Sequence, residues 1–266
     1  MTPVEIHQGD SPIVLGLPHT GTYVADAILA DLNDRGRGLD DTDWHIHTLY
    51  DGVFPGATTV RATFHRYVVD ANRDPSGVSL YPGQNTTGLV PLTDFDGHDI
   101  WIAPPTEVDV EARRVTFHAP YHAALQAELD RVRSIHGVAI LYDCHSIRSG
   151  IPFLFEGTLP DFNIGTNLGT TCAPEIEAAT QTICDGAVGY SSVTNGRFKG
   201  GWTTRHYGRP AEGLHAIQME LAQSTYLSAE APPWAYDTTK AARLRPYLTQ
   251  ILTQLAELAP TLKGTS

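Results

Sequence analysis

Lysine is scarce in this chain: of 18 basic residues among 266, only Lys199, Lys240 and Lys263 are lysines, and the rest are arginines. The 30 acidic residues leave a formal net charge of −12, and the cations are scattered rather than clustered. A field of that sign repels polyanions, which argues against nucleic acid as a partner. Cysteine is equally sparse. Cys144, Cys172 and Cys184 are odd in number and form no Cys-x-x-Cys pair, so neither a disulfide framework nor a thiolate metal site is encoded. Any metal must therefore be held by histidine and carboxylate. No apolar run approaches the roughly 18 residues of a spanning helix, and the start, MTPVEIHQGD, lacks the basic and apolar regions of a signal peptide. A cytoplasmic protein with no membrane partner is expected. There is no internal repeat, and the length suits one α/β domain over 1–266 with a sizeable core.

What is present begins with two apolar runs that end in histidine. SPIVLGLPHTG delivers the chain into His19, and VAILYDCHSIRSG delivers it into His145. In open α/β sheets ligands bind outside the carboxyl ends of the strands, so these histidines can converge on one crevice. Strand alternation puts Asp143 and His145 on one side and Cys144 on the other, which disfavours a Cys144/His145 nucleophile pair. A cysteine hydrolase using Cys144 with a histidine from elsewhere stays open as a rival. Catalytic zinc commonly takes two histidines and a carboxylate and leaves a fourth position for water. His19 and His145 supply two ligands. Asp43 is the first choice for the third, with Asp41, Asp143 and His47 as alternatives, although Asp41–Asp43 can equally be capping a helix carrying Ile46, Leu49 and Val53.

Elsewhere, TYVADAILADLN spaces Val24, Ile28 and Leu32 as a short amphipathic helix, and ATTVRATF and RYVVDANRDPSG read as strands. The second ends in Asn72 and Arg73. From Asp74 to Pro105 there is little periodicity, and so long a loop is expected over an active site. Tyr121, Leu125, Leu129, Val132 and His136 mark a helix stopped by Gly137, and Pro174 opens another that ends near Gly186. The stretch YSSVTNGRFKGGWTTRHYGRP reads as a second glycine-rich loop. LHAIQMELAQSTY alternates Ile217, Met219 and Leu221 with Gln218 and Glu220, a strand, and Leu244 to Leu258 form a last helix kinked near Pro246. Glu220, flanked by Met219 and Leu221, is a candidate general base with a pKa raised by burial. Arginine suits bidentate grip on carboxylates, and Arg73, Arg148, Arg197 and Arg205 all lie in these loops, with Asn72 beside the first.

The stretches LPHTG, DTDWHIHTLYD, NRDPSGVSLYPGQ, DCHSIRS, LFEGTLPDFNIGTN, NGRFKGG and TTRHYGRPAEGLHAIQMELAQSTY, ordered over roughly 11–226, together resemble the N-formylglutamate amidohydrolase family, deformylases of histidine breakdown. The resemblance implies a three-layer α/β/α fold with a mixed central sheet, like that of the zinc carboxypeptidases (phosphorylase/hydrolase-like). It also implies one Zn2+ per chain between a histidine, a carboxylate and a second histidine, matching His19 and His145. The sequence departs from the carboxypeptidase His-x-x-Glu pattern because Thr22 stands where glutamate would be, which is why Asp43 is proposed. Glu220 matches the catalytic glutamate of such enzymes. The implied reaction is hydrolysis of N-formyl-L-glutamate to L-glutamate and formate, with zinc-bound water deprotonated by Glu220 and with Arg73 and one or more of Arg148, Arg197 and Arg205 gripping the two substrate carboxylates. The rivals are a zinc amidohydrolase for another N-acyl amino acid and a non-catalytic dicarboxylate-binding protein.

Overall fold

The structure, a computed structural model, describes residues 2–78 and 87–262, so 79–86 of the predicted long loop lie outside the described residues. Its centre is a mixed sheet of strands β1 (Val4–His7), β2 (Ile13–Leu17), β3 (Thr58–Ala62), β4 (Ala139–Ile147), β5 (Phe162–Gly165), β6 (Ser192–Thr194) and β7 (Leu214–Ala222). They run in the order β1-β3-β2-β4-β7-β5-β6. The inner strands β3, β2, β4 and β7 are parallel, while β1 and the β5–β6 pair run against them. Parallel strands are buried on both faces, and β2, β4 and β7 are buried along their whole length.

Two apolar layers follow from the alternation of these strands. Ile140, Tyr142 and Cys144 of β4 join Ile217, Met219 and Leu221 of β7 in one core. That face is covered by α3 (Ile46–Tyr50), α6 (Pro174–Asp185) and α8 (Thr238–Leu258), after the short α1 (Asp26–Asp31) and α2 (Asp34–Gly38). Ala139 and Leu141 of β4 and Ala216 of β7 face the other core, covered by α5 (Ala119–His136). The three-layer arrangement is the expected one. α5 forms as its spacing predicts: Tyr121, Leu125, Leu129 and Val132 are buried, and Gly137, at φ 77°, closes it in the left-handed conformation that glycine adopts freely.

Other expectations need correction. The valine-rich stretch 66–73 is no strand but a series of turns, with Val68 and Val69 fully buried in the α5-side core. Its β-branched residues report burial rather than pairing, because β-propensity measures fit to a packed surface. The helix predicted over 22–33 shrinks to α1, which buries none of its own residues; Leu32 reaches the core only after the helix has ended. The glycine-rich stretch 190–210 contains β6 and α7 (Trp202–Tyr207). Unforeseen elements are β1, β5 and α4 (Glu107–Arg113), which starts on a Thr106/Asp109 capping box and joins α5 through a π-helical turn at Arg114–His118. Pro246 lies inside α8, as expected. Among the described residues no helix is long and apolar enough to cross a membrane.

Candidate active site

The carboxyl ends of β2, β4 and β7 share one end of the sheet, and the predicted residues meet there. His19 follows β2 by two residues, and its carbonyl accepts a hydrogen bond from the Asp43 N–H at 3.1 Å, which ties the 41–43 turn to the strand end. His145 lies opposite Glu220 in the β4/β7 register, and both project from the face that carries Asp143 and Gln218. The helix-capping reading of the aspartates fails. α3 begins after His45, whose φ is 58°, with no side-chain cap.

His19, Asp43 and His145 are buried, and one donor atom from each lies within 4.8 Å of the other two, so this group could hold a metal ion. Asp43 Oδ2 is 3.9 Å from His19 Nδ1 and 3.2 Å from His145 Nδ1. Each histidine turns its other nitrogen to a carboxylate: His19 Nε2 is 2.7 Å from Asp70 Oδ1, and His145 Nε2 is 3.1 Å from Asp143 Oδ1. At His19 the hydrogen-bonded carboxylate behind the ring sets the tautomer and leaves the lone pair on Nδ1, the nitrogen that faces Asp43. His19 Nδ1 is buried and has no hydrogen-bond partner among the described residues. An orphaned buried nitrogen aimed at a carboxylate oxygen and a second imidazole fits a cation between them.

The alternatives for the third ligand point elsewhere. Asp143 stands behind His145, Asp41 Oδ2 accepts from the Tyr67 hydroxyl at 2.7 Å and the Phe95 N–H at 2.9 Å, and His47 bonds Thr20 Oγ1 beside a separate groove near β1 and β3. Burial pushes Asp41 up to about 7 and His47 down to about 4. Cys144 projects into the opposite core, its Sγ 3.5 Å from the Tyr142 carbonyl. Burial holds that thiol well above its usual range, which removes the thiolate that a cysteine hydrolase needs.

Charge within the site is tightly balanced. Burial raises the Asp43 and Asp70 carboxyls, but nearby cations outweigh it and leave both below the usual carboxylate range: chiefly Arg66 and His145 at Asp43, chiefly Arg73 and His19 at Asp70. At His145 burial works the other way, yet Asp143, Asp43 and Glu220 hold its pKa well above that of free histidine. His19 is lowered, by burial first and then by Arg66. Glu220 rises to about 8 because burial dominates, assisted by Asp43 and Asp143 against His145 and Arg66.

His19, His145 and Glu220 open into a cleft also lined by Arg66, Arg73, Arg197, Asn72, Gln218, Phe95 and Phe198. Thr87, in the long predicted loop, contributes as well and holds Arg73 through its carbonyl at 3.0 Å and its hydroxyl at 2.9 Å. Asn72 Nδ2 lies 3.2 Å from His145 Nε2. The guanidinium of Arg197 stands over the Phe198 ring and donates from Nε to the Leu154 carbonyl. Two expected carboxylate readers are absent from the described lining. Arg148 pairs with Asp96 at 3.0 Å, and Arg205 Nε donates to the Gly200 carbonyl at 2.9 Å. Arg66, missed in the sequence, is buried and donates to Asp43 Oδ1 at 2.5 Å. Asp70 was missed too. No local pattern marks either one, because each acts through residues far away in the chain.

A family model for N-formylglutamate amidohydrolase matches residues 11–227. The chain is 46% identical over 258 residues to an N-formylglutamate deformylase of Pseudomonas putida, covering 95% of each chain. It is 44% identical over 252 residues to an N-formylglutamate deformylase of Pseudomonas aeruginosa, covering 93% of this chain and 94% of that one. In structure it resembles an N-formylglutamate amidohydrolase from Ralstonia eutropha, with a TM-score of 0.82 at 25% identity over 98% of this chain and 99% of that one. A gene product from Agrobacterium tumefaciens shares the fold at a TM-score of 0.73 and 16% identity, over 97% and 96% of the two chains.

Proposed function

Because the chain belongs to the N-formylglutamate amidohydrolase family, we propose that it hydrolyses N-formyl-L-glutamate to L-glutamate and formate, in histidine degradation, with one Zn2+ per chain held by His19, Asp43 and His145. The observation that carries this reading is the orphaned Nδ1 of His19, aimed at Asp43 and His145 beside a buried glutamate in an arginine-lined cleft. Two nitrogens and one oxygen suit zinc, and such an ion, when bound, acidifies water and polarises a carbonyl.

The chain's own residues supply the rest. Glu220 accepts the proton of the attacking water on its carboxylate and returns it to the departing amine nitrogen, so that one group serves as base and then acid. A site that lifts its pKa to about 8 favours the protonated half of that cycle, and a bound cation would draw the value back toward neutrality. Asp70 and Asp143 hold the histidine rings in register. Arg73, with Asn72, and Arg197 take the two substrate carboxylates. Arg66 keeps Asp43 ionised and adds positive charge where the formyl oxygen becomes anionic.

Elemental analysis of the purified protein, paired with a formate assay on N-formyl-L-glutamate, tests both halves. About one zinc per chain and stoichiometric formate release are expected. Full activity after complete metal removal would overturn the metal role, and no formate from the metal-loaded protein would overturn the substrate.

A further inference from the structure

We propose that Gln218 is the positioning residue of Glu220, holding its carboxylate through an amide whose orientation is set by the start of α7; the inference rests on the role proposed above for Glu220. The two residues are neighbours on one face of β7, and Gln218 Nε2 lies 3.0 Å from Glu220 Oε2. Which end of the amide faces the glutamate is decided on the other side. Gly201 N–H is 2.7 Å from Gln218 Oε1, and a backbone N–H can only donate, so the oxygen must face Gly201 and the NH2 must face Glu220. Gln218 is 3% exposed, so water cannot readily substitute for this donor.

The same turn reaches two further groups. Thr203 N–H donates to Asn72 Oδ1 at 2.8 Å, and Thr204 Oγ1 donates to Asp143 Oδ2 at 3.0 Å. Asn72 and Asp143 both touch His145 Nε2, so one short helix start sets the partners of the proposed base and of the second histidine together. This accounts for the double glycine of NGRFKGG. Gly200 has a φ of 104°, and a Cβ at Gly201 would fall 2.3 Å from Asn72 Nδ2, so a side chain there would push Asn72 off the helix start.

A double-mutant cycle of Gln218→Met and Glu220→Gln tests the inference on the metal-loaded full chain. Losing a hydrogen bond to a charged group should lower kcat by about tenfold to a hundredfold in Gln218→Met, with KM and metal content unchanged. In the Glu220→Gln background the same change should cost less than about twofold, because its target is gone. Unchanged kcat in Gln218→Met, or equal losses in both backgrounds, would overturn the inference. Normal turnover by Glu220→Gln alone would instead overturn the base. Should Gln218→Met fail to fold, neutron diffraction from the unmodified protein decides: deuterium on the amide atom nearest Glu220 is expected, and an oxygen there sinks the proposal.

Discussion

At the scale of single residues, the site concentrates buried carboxyl groups around two imidazoles, with Arg66 as a buried counter-charge. In the metal centre proposed for His19, Asp43 and His145, removing one ligand would leave the others too few for tight binding. His19→Ala, His145→Ala and Asp43→Ala should each lose most bound metal together with activity, as elemental analysis and formate release would show; stoichiometric metal in all three would abolish the centre. Glu220→Gln is nearly isosteric but cannot accept a proton, so it should keep the metal while kcat falls by about 10²-fold to 10⁴-fold. The arginines divide by position. Arg73→Ala and Arg197→Ala should lower kcat/KM on N-formyl-L-glutamate at least tenfold, and the one that reads the side-chain carboxylate should also lose the preference over N-formyl-L-glutamine. Arg148→Ala and Arg205→Ala, outside the described lining, should stay within about threefold of the parent; a large loss in either would return that residue to the substrate site.

At the scale of elements, precision at the site depends on what stands behind the strands. α5 seals the face from which Asp143, His145, Gln218 and Glu220 project, and its Leu125 and Leu129 sit in that core. Leu125→Ala removes buried methyl groups and leaves a cavity, so unfolding by urea should register a loss of about 2–5 kcal/mol. A loss under about 0.5 kcal/mol would mean that α5 packs loosely. α5 and the π-helical turn before it have a second duty. His118 and His122, a turn apart, approach the carbonyls of Arg73 and Ala71 through Nε2, at 3.1 and 2.8 Å, and so brace the irregular segment that carries Asp70, Asn72 and Arg73. Turns rather than a strand at 66–73 let the side chains of Asn72 and Arg73 reach the cleft and that of Asp70 reach His19 from behind.

At the scale of the whole molecule, burial of neutral histidines makes stability depend on pH. Burial first, and then His118, depresses His122 from 6.5 to about 3, while burial also holds His65 well below the ordinary value. Between those two pH values the unfolded chain binds a proton at position 122 that the native protein refuses. The contribution of His122 to stability is therefore complete above about pH 6.5 and falls as the pH drops toward 3. From pH 7 to pH 5 this one group should cost about 2 kcal/mol, and His122→Gln, which keeps a donor for the Ala71 carbonyl, should show a correspondingly shallower decline in urea unfolding. Parallel declines would show that His122 contributes nothing to acid sensitivity. The net charge of −12 adds another effect, because on the proposed function a doubly negative substrate would enter against the field of the protein as a whole, toward the Arg66, Arg73 and Arg197 that line the cleft.

Periodicity and strand ends alone determined a good deal about this protein. His19 and His145 at the ends of apolar runs, Glu220 alternating with core residues, the face of α5 and the glycine that stops it are local patterns, and local patterns survive without knowledge of the fold. The order of the strands, the register of His145 against Glu220 and the turn that brings Asp43 to His19 are not local, and only the tertiary structure decided them. They set Asp43, rather than Asp41, Asp143 or His47, beside both His19 and His145, drew Arg66 and Asp70 into the site and left Arg148 and Arg205 outside its described lining. The physical reason is that a carboxylate or guanidinium has the same chemistry wherever it stands in the chain. Its role is set by which charges lie within a few ångströms once sheet order has brought distant segments together.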